Sequence, residues 1–310
     1  MIEKANLFIV GAAKSGTSSL YNYVNIHPEI FMSNIKEPHY FAVNFVDIGG
    51  STTKIKDTKY IHRKVVNNLD EYTSLFSSAY NYKFRGEASP SYLWAPTAAQ
   101  KIFSYNPNSK IIILLRDPIQ RAFSHYLMDL KSGSQLNSSF YKALINDKKC
   151  LPKIWGKAHL YMELGLYSKS VKSYIDLFGK ENVKIILFDD LKICTDFVLE
   201  QLFNFLEVNS DLSQIKINSK VVYNKFEGLN SAKLYSIKNY LINKNILNKV
   251  PFKGAILKMV SNVVRKNSQN INIDKKAVSY LSEIYKSDLI LLQDFLDIDI
   301  SPLFSTIHAK

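Results

Sequence analysis

The stretch that decides the fold is "FIVGAAKSGTSSLYNYV", residues 8–24. The apolar run "LFIVG" (7–11) has strand character and ends in glycine, and after a polar turn Leu20, Tyr21 and Val24 recur at helical spacing. A strand, a glycine-bounded turn and a helix aim backbone N–H groups at whatever lies above the helix N-terminus, which makes an anion site. Lys14 adds a full positive charge at the turn, and Ser15, Thr17, Ser18 and Ser19 add hydroxyl donors. The loop nevertheless departs from the nucleoside triphosphate pattern G-x-x-x-x-G-K-[ST], because Lys14 precedes Gly16 by two positions and Thr17 follows directly. Three readings stand at this point: an altered ATP loop, a plain capped helix start, or a loop built for another anionic donor.

Working outward, "KFRGEASPSYL" (83–93) reads as a short strand running into a loop. "KIIILLRDP" (110–118) is a continuous apolar run of the kind buried on both faces of a parallel sheet. It stops at Arg116, and "PIQRAFSHYLMDLKSG" (118–133) reads as a helix with Pro118 in its first turn and Gly133 past its end. "NVKIILFDDL" (182–191) predicts another buried strand, followed by a helix from about Asp196 to Leu206, and 275–297 predicts a terminal amphipathic helix. Strands alternating with helices predict an α/β protein, a P-loop-like three-layer fold whose central parallel sheet is flanked by helices. With no repeat and no Gly/Ser/Pro linker, 1–310 is expected to be a single domain, more helical and basic from about residue 207.

The formal net charge is +13, and residues 216–286 hold 14 Lys plus Arg against 3 Asp plus Glu. Such a stretch suits nucleic acid, an anionic membrane, an acidic ligand, or simply a solvated surface. Only Cys150 and Cys194 occur, and the six histidines are scattered, so neither a disulfide framework nor a metal cluster is expected. Lacking a leader-like start and any long apolar run, the chain is expected to be cytoplasmic. The basic amphipathic stretch "AILKMVSNVVRK" (255–266) adds the option of peripheral contact with an anionic membrane at its inner surface.

Six segments together resemble one family. G-A-A-K-S-G-T-S-S-L (11–20) is similar to the 5′-phosphosulfate loop of sulfotransferases that use 3′-phosphoadenosine 5′-phosphosulfate (PAPS), in which the lysine also precedes the glycine. "RDPIQRAFSHY" (116–126) resembles the family's strand-end arginine and helix serine. "KEPHYF" (36–41) and "GEASPSYL" (86–93) look like the lysine and glutamate segments of its carbohydrate, heparan-sulfate-type branch. "ELGLYSKSVKSYIDLFGKENVKIILFDDL" (163–191) resembles a shared helix-strand segment, and "YNKFEGLNSAK" (223–233) is loosely similar to a late loop over the adenosine.

The resemblance implies roles. Lys14, Ser15, Gly16, Thr17 and Ser18 would cradle the 5′-phosphosulfate, with Lys14 on the leaving group. Arg116 and Ser124 would hold the 3′-phosphate, the alternative being an Arg116 paired with Asp117. Lys225 and Gly228, with Asn224 and Lys233 nearby, are candidates for the late loop. Glu87 would be the general base and Lys36 a second catalytic cation. The product 3′-phosphoadenosine 5′-phosphate (PAP) is a stable anion, so no metal is required. The implied acceptor is a hydroxyl on a saccharide, glycolipid or other molecule, the alternative being an amino-sugar nitrogen, with Tyr40, Phe41, Tyr92 and Trp94 as aromatics for a sugar ring. Two rivals are weighed against this reading. A P-loop kinase would want lysine after the second glycine and an acidic strand end for Mg²⁺. A basic nucleic-acid-binding protein would leave the phosphate loops unexplained, and no nucleic-acid partner is expected.

Overall fold

The structure is a computed structural model that describes residues 4–47, 65–215 and 272–308. Five strands form one all-parallel sheet: β1 (Leu7–Gly11), β2 (Ile30–Met32), β3 (Phe84–Ala88), β4 (Lys110–Leu115) and β5 (Val183–Leu187), in the order β2-β3-β1-β4-β5. The α/β expectation therefore holds. Helices α1 (Thr17–Val24), α2 (Leu69–Ser74), α3 (Ser91–Trp94), α4 (Ala98–Tyr105), α5 (Pro118–Ser132), α6 (Phe140–Lys149) and α7 (Ser168–Phe178) connect them, α8 (Phe188–Ile193) and α9 (Thr195–Phe205) follow β5, and the long helix Lys275–Phe295 closes one face.

Alternation along the strands builds the three layers. Phe8 and Val10 of β1 and Ile111, Ile113 and Leu115 of β4 face α4, α5, α7 and the long helix, which contributes Ala277, Leu281, Tyr285, Leu289 and Leu292. Leu7, Ile9, Ile112 and Leu114 face the other way, onto Leu20 and Val24 of α1 and Val198, Leu199, Leu202 and Phe203 of α9. A strand apolar at every position is what a sheet covered on both faces demands.

From β1 the chain crosses through α1 to the edge strand β2 and returns to β3 beside β1, whereas β4 and β5 lie on the opposite side. The order therefore reverses at β1, and in open α/β sheets ligands bind at the carboxyl ends of the strands beside such a reversal. The phosphate loop and Arg116 both lie at this edge, immediately after β1 and β4.

Pro118 opens α5, and Gly133, at φ 90°, ends it, as its sequence predicts. The expected strand over 182–191 is shorter, because α8 starts directly after Leu187 with Asp189 and Asp190 in its first turn, where the helix dipole favours acidic residues. The loop expected after "KFRGEA" becomes α3 after Pro90. The late loop 223–233, with Asn224, Lys225, Gly228 and Lys233, and the basic stretch 255–266 lie outside the described residues.

Candidate functional site

Gly16 begins the site. Its φ of 92° is left-handed, a conformation open to glycine at little cost, and it forms the N-cap of α1. With no side chain to cap the helix, the first-turn N–H groups of α1 are left for an anion. Lys14 also takes a left-handed φ of 67°, which swings the chain around the turn. Ser15 is fully buried, and its hydroxyl has no hydrogen-bond partner among the described residues. An orphaned hydroxyl, a bare helix start and a lysine within one five-residue turn form a donor set suited to an oxyanion.

Arg116 reaches the same loop from β4. Its Nη1 donates to the Lys14 carbonyl at 3.0 Å, and the guanidinium lies over the Phe188 ring, 4.4 Å from its centroid. Its own carbonyl accepts from the Tyr167 hydroxyl at 2.9 Å. Asp117 does not pair with it. That carboxylate caps α5 by accepting from the N–H groups of Ile119 (2.9 Å) and Gln120 (3.0 Å), and its other oxygen accepts from Ser305 Oγ (3.0 Å) and Thr306 N–H (2.8 Å). Ser124 lies two turns into α5 and is partly exposed.

Lys36 approaches from the far side of α1, where its ammonium donates to Ser18 Oγ and lies 3.3 Å from Glu37 Oε1. Glu37 and His39 both carry positive φ, 62° and 56°, so "KEPHYF" is a tightly wound turn. His39 is buried, with Nδ1 2.7 Å from Ser91 Oγ and its N–H donating to Ser89 Oγ.

Glu87 stands at the end of β3 in register with Phe8, and is 1% exposed. Its Oε2 accepts from Ser89 Oγ at 2.7 Å and its Oε1 from the Tyr72 hydroxyl at 3.3 Å. Burial pushes its carboxyl up to about 7, against the opposing hydrogen bonds of Tyr92, Ser89 and Tyr72. Lys14 is lowered from its ordinary 10.5 by burial first, with Asp129 opposing and Arg116 reinforcing the shift.

The fold therefore brings Lys14, Ser15, Gly16, Thr17, Ser18, Lys36 and Arg116 together and sets Glu87 one strand away. Of the aromatics, Phe41 and Tyr92 are core residues, whereas Tyr40 and Trp94 are partly exposed. Sequence reasoning missed Trp155, which packs 6.4 Å from Trp94 and 6.1 Å from His39, and Tyr72, which covers Glu87. It also missed the fully buried Arg121, which donates to the Tyr161 carbonyl and whose Nε and Nη1 have no partner among the described residues. Its position in the "RDPIQRAFSHY" motif was the available signal. Among the described residues no group of His, Cys, Asp and Glu is arranged to hold a metal ion.

Comparisons with known proteins give the chain's family. Human carbohydrate sulfotransferase 15 is 24% identical over 244 residues, 66% of this chain and 44% of that protein. The chain thus matches less than half the length of that relative. The membrane-associated sulfotransferase kil1 of Dictyostelium discoideum is 25% identical over 77% of this chain and 62% of its own length. The crystal structure of a sulfotransferase from Alicyclobacillus acidocaldarius superposes with a TM-score of 0.71 at 26% identity, covering 97% of this chain and 99% of that one. These relatives correct the cytoplasmic expectation, since kil1 is membrane-associated by name. That expectation rested on a missing leader and a missing apolar run, and neither feature of a catalytic fold sets a compartment. No described helix is long and apolar enough to cross a membrane. A sulfotransferase domain model matches residues 4–245, and the chain belongs to that family.

Proposed function

We propose that the chain transfers a sulfuryl group from PAPS to a hydroxyl on a saccharide. The observation that carries this reading is the 3.0 Å bond from Arg116 Nη1 to the Lys14 carbonyl, which joins the two anion-binding elements into one site. The orphaned Ser15 hydroxyl and the uncapped start of α1 fit a 5′-phosphosulfate, and Arg116 with Ser124 fits the 3′-phosphate. Carbohydrate sulfotransferase 15 supports a sugar acceptor, and the partly exposed pair Trp94 and Trp155 offers its ring a surface.

When bound, the donor supplies an activated sulfuryl group on a phosphate that departs as a stable anion. The chain does the rest by position and charge. Lys14 and the N–H groups of Gly16 and Thr17 hold negative charge at the leaving phosphate. Lys36, kept near by Ser18, places a second cation on the transfer side. Glu87 takes the acceptor's proton at its carboxylate, and a value of about 7 leaves it substantially deprotonated at neutral pH while still basic enough to work. Because Tyr72 and Ser89 cover both of its oxygens, the acceptor hydroxyl must displace one of them, which keeps water off the base until then. Residues 4–215 and the long helix serve in this reading as one catalytic unit.

The deciding experiment is thermal stabilisation by PAP against ADP and Mg-ATP, since a ligand of the folded state raises stability by mass action. A shift with PAP that is absent with ADP and lost in Arg116→Ala is expected. A shift with Mg-ATP and none with PAP would sink the proposal in favour of a kinase.

A further inference from the structure

Asp129, five residues beyond Ser124 on α5, gathers a cluster that the mechanism above does not use. Its Oδ2 accepts from His159 Nδ1 at 2.6 Å and from the Tyr161 hydroxyl at 2.9 Å, and His125 Nε2 lies 3.6 Å away. Asp147 of α6 fixes the same segment from the other side: its Oδ1 accepts from His159 N–H at 2.8 Å and its Oδ2 from Tyr161 N–H at 3.0 Å. The His159 ring lies flat on Tyr161, centroids 4.8 Å apart and 3° from parallel. The imidazole is therefore held at its backbone, at Nδ1 and on one face.

With Nδ1 committed to the carboxylate, Nε2 points away from it, and it makes no hydrogen bond with any described residue. The side chain is 26% exposed. Its surroundings locate it. Ala158 and Leu160 pack with Ala13, the residue before Lys14, and with Trp94. Met128, adjacent to Asp129, receives the Lys14 ammonium at 3.3 Å. His159 thus belongs to a segment that packs against the residue preceding Lys14, and its partner Asp129 adjoins the methionine that Lys14 contacts. Burial works against its charged form, but the hydrogen bond and charge of Asp129, with the charge of Asp147, raise it above the ordinary histidine value. Asp129 resists burial in the same way: His125, His159 and Tyr161 hold it below the usual carboxylate range. Buried His125 is pushed down to about 3 and stays neutral. Between the two imidazoles, the partly exposed His159 is the one whose charged form its surroundings favour.

We propose that His159, oriented by Asp129, is an oxyanion-binding residue on the side of the site where Lys14 meets Met128, donating from Nε2 to a sulfuryl oxygen of the donor or to a carboxylate or sulfate of an acidic acceptor. This rests on the sulfotransferase reading of the site. An imidazolium fixed through Nδ1 is a preorganised donor that reaches charge without rearranging.

The test is equilibrium binding by calorimetry on the full chain, for the parent, His159→Ala and His159→Arg. The probes are PAPS, PAP, and a heparan sulfate hexasaccharide in the presence of PAP. If the oxyanion is the donor's, His159→Ala weakens PAPS roughly tenfold, as one charge-assisted hydrogen bond warrants, and leaves PAP unchanged, while His159→Arg recovers PAPS. If it is the acceptor's, the same loss appears in the hexasaccharide and the PAPS-to-PAP ratio holds. Equal losses for PAP and PAPS, or none for any probe, overturn the proposal and leave His159 as a brace for its loop. On the unaltered chain, PAPS or the hexasaccharide must also shift the His159 Nε2 resonance while PAP alone does not, so a poorly folding variant does not shelter the claim. A parent chain that binds neither nucleotide takes down the sulfotransferase reading itself, and this proposal with it.

Discussion

Arg116 Nη1 donates to the backbone carbonyl of Lys14 at 3.0 Å, a bond between residues 102 positions apart. One guanidinium edge thus shapes the turn, while the rest of the fork is directed by its stack on Phe188 and relieved of Asp117, which caps α5 instead. Arg116→Ala should raise the Kd for PAP by roughly 100-fold, because it removes a charged phosphate contact and loosens the loop together. Arg116→Lys should recover little of this, since an ammonium cannot serve two planar partners at once. Calorimetry measures both, and an unaltered Kd in the alanine variant removes Arg116 from the donor site.

Gly16→Ala tests the loop by a different route. A Cβ there would meet Phe188 Cδ2 at 3.2 Å, and the φ of 92° strains any other residue. The cost to stability should be about 1–2 kcal/mol. Because Phe188 carries the Arg116 stack, PAP affinity should fall along with stability. Urea melts with and without PAP separate the two effects, and a variant that loses stability but keeps full PAP binding would show that the αL turn is not what holds the anion.

The pH dependence of transfer should be bell-shaped. Below about 7 Glu87 is protonated and cannot accept the acceptor's proton, so the rate climbs as pH rises through that value. Burial lowers Lys14 from its ordinary 10.5, so its charge, and the rate, are lost on the alkaline side earlier than for a free lysine. Transfer of labelled sulfate from PAPS to heparan sulfate oligosaccharides, followed from pH 5 to 10, gives both limbs. Glu87→Gln should abolish transfer and leave PAP binding intact. A variant with residual activity and an unshifted acid limb assigns that limb to another group.

What was legible in the sequence was local. The loop over 8–24, the run at 110–115 and the helix between Pro118 and Gly133 each state their structure within a few residues, through unbroken apolarity, a fixed proline φ and a left-handed glycine. The strand β2 is three residues long, too short for a period of two to register. Expected strand character at 188–191 gave way to helix, whose first turn places Asp189 and Asp190 where the helix dipole favours acidic side chains. The site's second half depends on contacts made only by folding. Tyr72 covers Glu87 from a helix that no motif marks, and Asp129 finds His159 thirty residues on, through a loop pinned by Asp147. A scattered histidine and a surface-looking aspartate have no sequence sign that they will meet.

Burial of Glu87 also predicts how stability responds to pH. The unfolded carboxyl titrates near its ordinary 4.5, whereas in the folded chain burial pushes it up to about 7. Between these values the folded state holds a proton that the unfolded state has released, so stability falls as pH rises through the window. The loss, complete above pH 7, is on the order of 3 kcal/mol. Glu87→Gln keeps the shape and has no charge to bury. The Tyr72 hydroxyl still finds the amide oxygen, and the Ser89 hydroxyl, which now donates to the carboxylate, can rotate to accept from the amide N–H. The glutamine variant should therefore be more stable than the parent at pH 8, with the difference closing toward zero near pH 4.5, where both side chains are neutral. Urea unfolding of the two proteins at several pH values isolates this group, since every other carboxylate cancels in the comparison. A difference that stays constant across the range, or a parent that is the more stable protein at pH 8, would mean that the Glu87 carboxylate is solvated in solution, and its assignment as a screened base would fall with the stability argument.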